Sequence, residues 1–184
     1  RDTNRWVLGS PDKHVSQISS QNSFERLSPF DQYLACIFDN VCSAIRRSVW
    51  ERIPFPNAVF SEDLEWGYRV LRCGYAIVYE PEAAVYHSHD RPIVYQFHRT
   101  RIDHYRLTEL FGLETVPTVF HIPQSFTRQL VGETRALAGM DAPFWARFRE
   151  IMKLPARAAA HVFAQYAGAR AYRMGHAPED LRAV

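Results

Sequence analysis

The chain has 184 residues, 47% of them hydrophobic and 23% charged, and a formal net charge of +2 at pH 7. That is the length of one ordinary globular domain with enough apolar surface for a packed core, which argues against intrinsic disorder and against a whole-chain polyanion binder. No stretch approaches the roughly 20 apolar residues needed to span a bilayer, and the opening RDTNRWVLGSPDK has no apolar run like that of a signal peptide. The expectation is a soluble, cytoplasmic chain with no nucleic-acid partner. Cys36, Cys42 and Cys73 are odd in number and lack CxxC spacing, which points to reduced thiols rather than a disulfide framework or a thiolate zinc site. Lys13 and Lys153 are the only lysines. The arginine excess suits phosphate or carboxylate recognition, and coding bias explains it equally well.

In chain order, residues 1 to about 34 read as loop, with one short helix around Phe24 to Leu27. YLACIFDNVCSAIRR alternates and carries β-branched residues, so a strand or strand pair is expected. RRSVWERI predicts a helical turn stopped by Pro54 and Pro56. From Ser61 a helix is expected, with Ser61 as N-cap, Glu62 and Asp63 in the first turn, Leu64, Tyr68 and Leu71 at helical spacing, and Gly74 as terminator. YAIVYE and AAVYH, divided by Pro81, read as two strands or as a strand and an extended connection. Residues 92–111 predict a helix, 116–142 a linker containing VPTVFHIP, and the tail from Pro143 two amphipathic helices broken near Pro155. In the first tail helix Phe144, Phe148, Ile151 and Met152 share one side. In the second, Ala159, Val162, Phe163 and Tyr166 form the apolar stripe.

Several residues have the right chemistry for a site. Glu62 and Asp63 open a helix directly after the apolar NAVF, where one carboxylate can project into a cleft as a general base; helix-dipole complementation on a solvated surface explains the pair as well. His87 and His89, at i and i+2 beside Asp90, would share one face of a strand and suit a metal or a diphosphate, while packed or hydrogen-bonded histidines are the commoner outcome. Arg99, Arg101 and Arg106 read either as a phosphate-contacting patch or as a solvated helix face. Trp66 is either a stacking platform for a sugar ring or a core residue. The tail helix bearing Phe144 and Trp145 reads either as a docked amphipathic helix or as one lying on an anionic membrane surface.

Taken together, NVCSAIRRSVWERIPFP followed by SEDLEWGYRVLRCGYAIVYEPEAAVYHSHD resembles the C-terminal half of family 2 glycosyltransferases, especially rhamnosyltransferase-like and other cell-surface polysaccharide members. The likeness covers residues 36 to 112 well and the tail loosely. It implies an α/β class, a partial GT-A domain over residues 1–115, followed by the helical C-terminal tail at 143–184. It further implies inverting transfer of a sugar from a nucleotide-diphosphate donor to a glycan or lipid-linked acceptor. Asp63 would be the catalytic base and Glu62 its partner, with Trp66, Arg69, His89 and Arg99 at the substrates. A divalent cation, Mn²⁺ or Mg²⁺, would neutralise the leaving group, with His87 as a metal or diphosphate contact. The family's first half, with its nucleotide-binding βαβ unit and Asp-x-Asp motif, does not occur in these residues. The chain, which opens on Arg1, is therefore expected to begin mid-protein and to be inactive alone. Two other readings are a metal-dependent hydrolase using His87, His89, Asp90 and His104, and a non-enzymatic membrane-binding module, peripheral at the inner membrane through the tail.

Overall fold

The computed structural model describes residues 12–18, 20–58, 60–85 and 91–178. Of these, 62% are helical, and one two-stranded antiparallel sheet completes the regular structure. The expected α/β class is thus met only by a small sheet among helices. The described residues fall into two compact units, one of residues 12–85 with 110–113, the other of 91–109 with 114–178.

The first unit starts with strand β1 (His14–Gln17), which pairs with β2 (Ala76–Tyr79) in the register His14 opposite Tyr79 to Gln17 opposite Ala76. Helix α1 (Gln21–Glu25) is started by a capping box in which Ser20 and Ser23 satisfy each other's backbone N–H groups. Helix α2 (Pro29–Cys36) replaces the expected strand. Ser28 caps it by accepting from the Asp31 N–H, Pro29 supplies the fixed φ of a first turn, and Asp31 complements the dipole. These start signals outweigh the β-branched character of the residues that follow, and 37–46 are irregular. Helix α3 (Arg47–Arg52) ends before Pro54 as expected. Helix α4 (Glu62–Arg72) ends at Cys73 and the left-handed Gly74. Residues 83–85 form no strand.

Helix α4 buries Trp66, Gly67, Val70 and Leu71, the i, i+1, i+4, i+5 stripe that faces a core. Val49, Trp66 and Val70 form the centre of that core, ringed by Phe38, Ile45, Ile53, Phe55 and Tyr75. Close approach at Gly67 fixes the helix, because a Cβ there would lie 2.2 Å from the Cys36 carbonyl oxygen at the end of α2. Cys36 itself is fully buried, and burial pushes its thiol up to about 12. It stays protonated and inert at neutral pH.

The second unit holds residues 93–109 of helix α5 (Ile93–Phe111), helix α6 (Ile122–Ala138) and helix α7 (Phe144–Arg173). The stretch expected as a linker is mostly α6, preceded by a 3₁₀ turn (Val119–His121); Pro123 lies in the first turn and starts the helix rather than bounding a loop. The tail is one helix, not two. Pro155 is exposed within it, while Leu154, Ala158 and Val162 hold the flanking turns in the core. Of the stripe expected there, Val162 is buried and Phe163 is exposed. Arg157 ties α7 to α6 through Glu133 at 3.1 Å and also reaches Glu150. At Gly168 a Cβ would lie 2.3 Å from the Arg101 carbonyl, so α5 and α7 also meet backbone to backbone. No helix among the described residues is long and apolar enough to cross a membrane.

Two predictions follow from this packing. Gly67→Ala and Gly168→Ala each force a backbone shift and are expected to cost roughly 1–3 kcal/mol by urea unfolding; neutrality of both would show that these crossings are loose. The second concerns His104, which is buried with its Nδ1 3.2 Å from the Thr115 hydroxyl, and whose pKa is lowered to about 3 by burial and then by His161. Below the ordinary imidazole value the unfolded chain takes up a proton that the folded one refuses. Stability should therefore fall as pH drops from about 6.5 toward 3, by about 1.4 kcal/mol per pH unit for this one group. Acid titration of unfolding by circular dichroism should show that limb, and His104→Gln should flatten it.

Candidate functional site

Helix α4 begins under strain. Ser61 stands in the left-handed region at φ 59°, the one described non-glycine residue with positive φ, and its side chain does not cap the helix. The expected N-cap role is therefore not filled by its hydroxyl. Its carbonyl instead accepts from the Glu65 N–H at 3.0 Å, so the helix starts abruptly out of the preceding turn.

That start determines where the two carboxylates go. Asp63 precedes Trp66, Gly67, Val70 and Leu71 by three, four, seven and eight residues, which places it at the N-terminal end of the buried stripe. Its carboxylate is half-buried, and its Oδ1 accepts from the Leu64 N–H at 2.7 Å. Burial raises its pKa first of all; hydrogen bonding from the Leu64 and Asn40 backbone opposes the shift, and the charges of Glu62 and Asp39 add to it. A helix N-terminus on a solvated surface pulls a carboxylate the other way. The surface reading of the pair therefore does not describe Asp63. Asp39 was not among the sequence candidates. It is brought to Asp63 by the turn after α2, where its own Oδ1 accepts from the Val41 N–H at 2.9 Å. In the sequence the Asp39-Asn40 step just before the small-residue run marks a turn but not its proximity to Asp63.

The remaining candidates separate. Trp66 is 3% exposed, stacked on Phe55 at 5.2 Å, packed against Phe38 at 4.8 Å, and donates its indole N–H to the Ile53 carbonyl at 2.6 Å. It is a core residue that supports the helix start, so a sugar-stacking role is corrected. Arg69 lies between the buried positions of α4 but off their stripe, and is exposed, ion-paired with Glu65. Arg99 belongs to the second unit and pairs with Asp103 on α5 at 3.8 Å, and Arg106 pairs with Glu109, so two of the three arginines of the expected patch have a local carboxylate partner. His87, His89 and Asp90 lie outside the described residues. His104, the further ligand of the hydrolase reading, is buried beside Thr115 and held neutral. Among the described residues no group of three or more His, Cys, Asp or Glu side chains could hold a metal ion, and no Asp-x-Asp occurs in the sequence.

No protein-family model, curated protein or solved structure matches the chain.

What the site can do is take up a proton. A carboxylate with a raised pKa beside two other acidic groups is a stronger base than a solvated one, at a cost in stability. The unfolded chain releases the Asp63 proton in the ordinary carboxylate range, whereas the folded chain holds it to higher pH, so stability is lost as pH rises between those two values. Asp63→Asn keeps the shape and an acceptor for the Leu64 N–H while removing the charge. It is expected to raise the melting temperature at pH 7, a gain that vanishes below the ordinary value of about 3.9. A lower melting temperature at pH 7 would identify Asp63 as a stabilising cap instead.

Proposed function

We propose that this chain carries the catalytic-base half of an inverting glycosyltransferase that moves a sugar from a nucleotide-diphosphate donor to a glycan or lipid-linked acceptor in cell-surface polysaccharide synthesis. The observation that carries the reading is Asp63, a core-facing, half-buried carboxylate at an abrupt helix start, at the position where the family resemblance requires a base. The order of elements supports it as well: helix α3, the strained Ser61 turn, α4, Gly74 and β2 follow one another as in the segment resembled.

In the proposed reaction the acceptor hydroxyl oxygen attacks the anomeric carbon from the face opposite the diphosphate. The bond from that carbon to the diphosphate oxygen breaks, and the diphosphate leaves with the electron pair. The hydroxyl proton passes to the Asp63 carboxylate, which later returns it to water. Burial first, and then the charges of Glu62 and Asp39, disfavour the ionised form of Asp63 and so make it a stronger base. A divalent cation and the Asp-x-Asp element belong to the donor side of such an enzyme, so the reaction is to be assayed on the full gene product.

Asp63→Asn in that protein is expected to lower sugar transfer by about 10²–10⁴-fold while leaving the affinity for nucleotide sugar intact and the unfolding midpoint no lower than that of wild type. Transfer within tenfold of wild type would remove Asp63 from the reaction.

A further inference from the structure

Helix α7 carries more apolar surface than folding covers. Leu154, Ala158, Val162 and Ala169 are buried within the second unit, where α7 packs along α6. In the first turns of the helix, before the buried stretch begins, Phe144 is 63% exposed, Trp145 75% and Met152 67%, with Phe148 and Ile151 also exposed. Residues 144, 148, 151 and 152 follow the helical repeat, so these side chains form one continuous stripe over the first two and a half turns. The three rings pack on one another, Phe144 and Trp145 at 5.4 Å, Phe144 and Phe148 at 6.2 Å, Trp145 and Phe148 at 6.2 Å. Large aromatics are thus held together in solvent, where burial against the core does not reward them.

Charge distinguishes the occupant. Arg149 and Lys153 border the aromatic stripe with side chains 74% and 53% exposed. Glu150, the one acidic residue of that stretch, is already engaged by Lys153 at 2.9 Å and Arg157 at 3.1 Å. Residues 116–178 carry eight Arg and Lys against three Asp and Glu, a net +5 in a chain whose total is +2. The stripe covers roughly 12 Å by 10 Å, far below the ~800 Å² per partner of a stable protein dimer. Insertion at the headgroup boundary needs only a few aromatic side chains with cations beside them.

We infer that the start of α7 is a docking surface for an anionic lipid bilayer, with Phe144, Trp145, Phe148 and Met152 inserted at the headgroup boundary and Arg149 and Lys153 against the lipid phosphates. The helix lies on the membrane and does not cross it. The inference is independent of the proposed sugar transfer, since no residue is shared and its test reads no enzymatic activity.

The test is sedimentation of the 184-residue chain with phosphatidylcholine vesicles, with and without about 30% phosphatidylglycerol. Anionic vesicles are expected to pellet the protein, and neutral ones to pellet it at least tenfold less well. Arg149→Gln with Lys153→Gln should weaken binding by roughly tenfold or more, since each cation near the surface contributes about fivefold. Trp145→Ser with Phe148→Ser should abolish it at an unchanged unfolding midpoint, these side chains being exposed. A second readout, sedimentation velocity without lipid, should show wild type and the double serine variant at the same mass. Equal binding to both vesicle types, binding that survives the double serine substitution, competition by inorganic phosphate alone, or a dimer that the serine variant dissolves would each overturn the inference.

Discussion

The first unit depends on the approach of helix α4 to the end of α2 at Gly67. With no side chain there, the α4 backbone comes down on the Cys36 carbonyl, and a Cβ would stand 2.2 Å from that oxygen. The contact sets how α4 lies, and with it the direction of every residue on the 63, 66, 67, 70, 71 stripe. Trp66 then reaches the Ile53 carbonyl between Phe38 and Phe55, which anchors the first turn. Asp63, one turn earlier on the same side, is carried toward the turn that follows α2, where Asp39 and Asn40 act on it. The raised pKa of Asp63 is thus a consequence of backbone packing several residues away.

Such an arrangement works against stability. A charged group on a core-facing position beside two carboxylates loses hydration and gains repulsion, and only two backbone donors offset this. The left-handed Ser61 adds local strain at the same place. Cost concentrated at one turn, amid an otherwise ordinary apolar core, is compatible with the proposed role of Asp63 as a base. Elsewhere the ionisable groups are handled conventionally: His104 is kept neutral within the second unit, and the Arg157, Glu133 and Glu150 group couples α6 to α7.

Much of the local structure was legible in the sequence. The helix from Glu62 to Gly74, the strand after it and the helix at 93–111 carry strong periodicity and clear terminators, and all form. Pro29 and Pro123 mark helix starts and Pro155 an exposed interior position, so a proline signals α2 and α6 where a loop and a linker are expected and does not split α7. The strand at 14–17 is four residues with one side chain buried and has no pattern of its own, its partner being more than sixty residues away. For the site, Asp63 and Glu62 could be named from a helix start alone. Asp39 could not, because its proximity to Asp63 arises from the packing at Gly67, and Trp66 was ambiguous until its ring was found between two phenylalanines. The exposure of Phe144 and Trp145 follows from how far along α7 the core extends, information that the apolar pattern of the sequence does not contain.

The central claim is that Asp63 is a desolvated base and not a solvated helix cap. Its carboxyl carbon can be followed directly by ¹³C NMR as the protein is titrated, with Asp63→Asn identifying the resonance. The account predicts a midpoint above the ordinary Asp value of about 3.9, moving down when Asp39→Asn removes one neighbouring charge. A midpoint at or below the ordinary value, unmoved by Asp39→Asn, would contradict it.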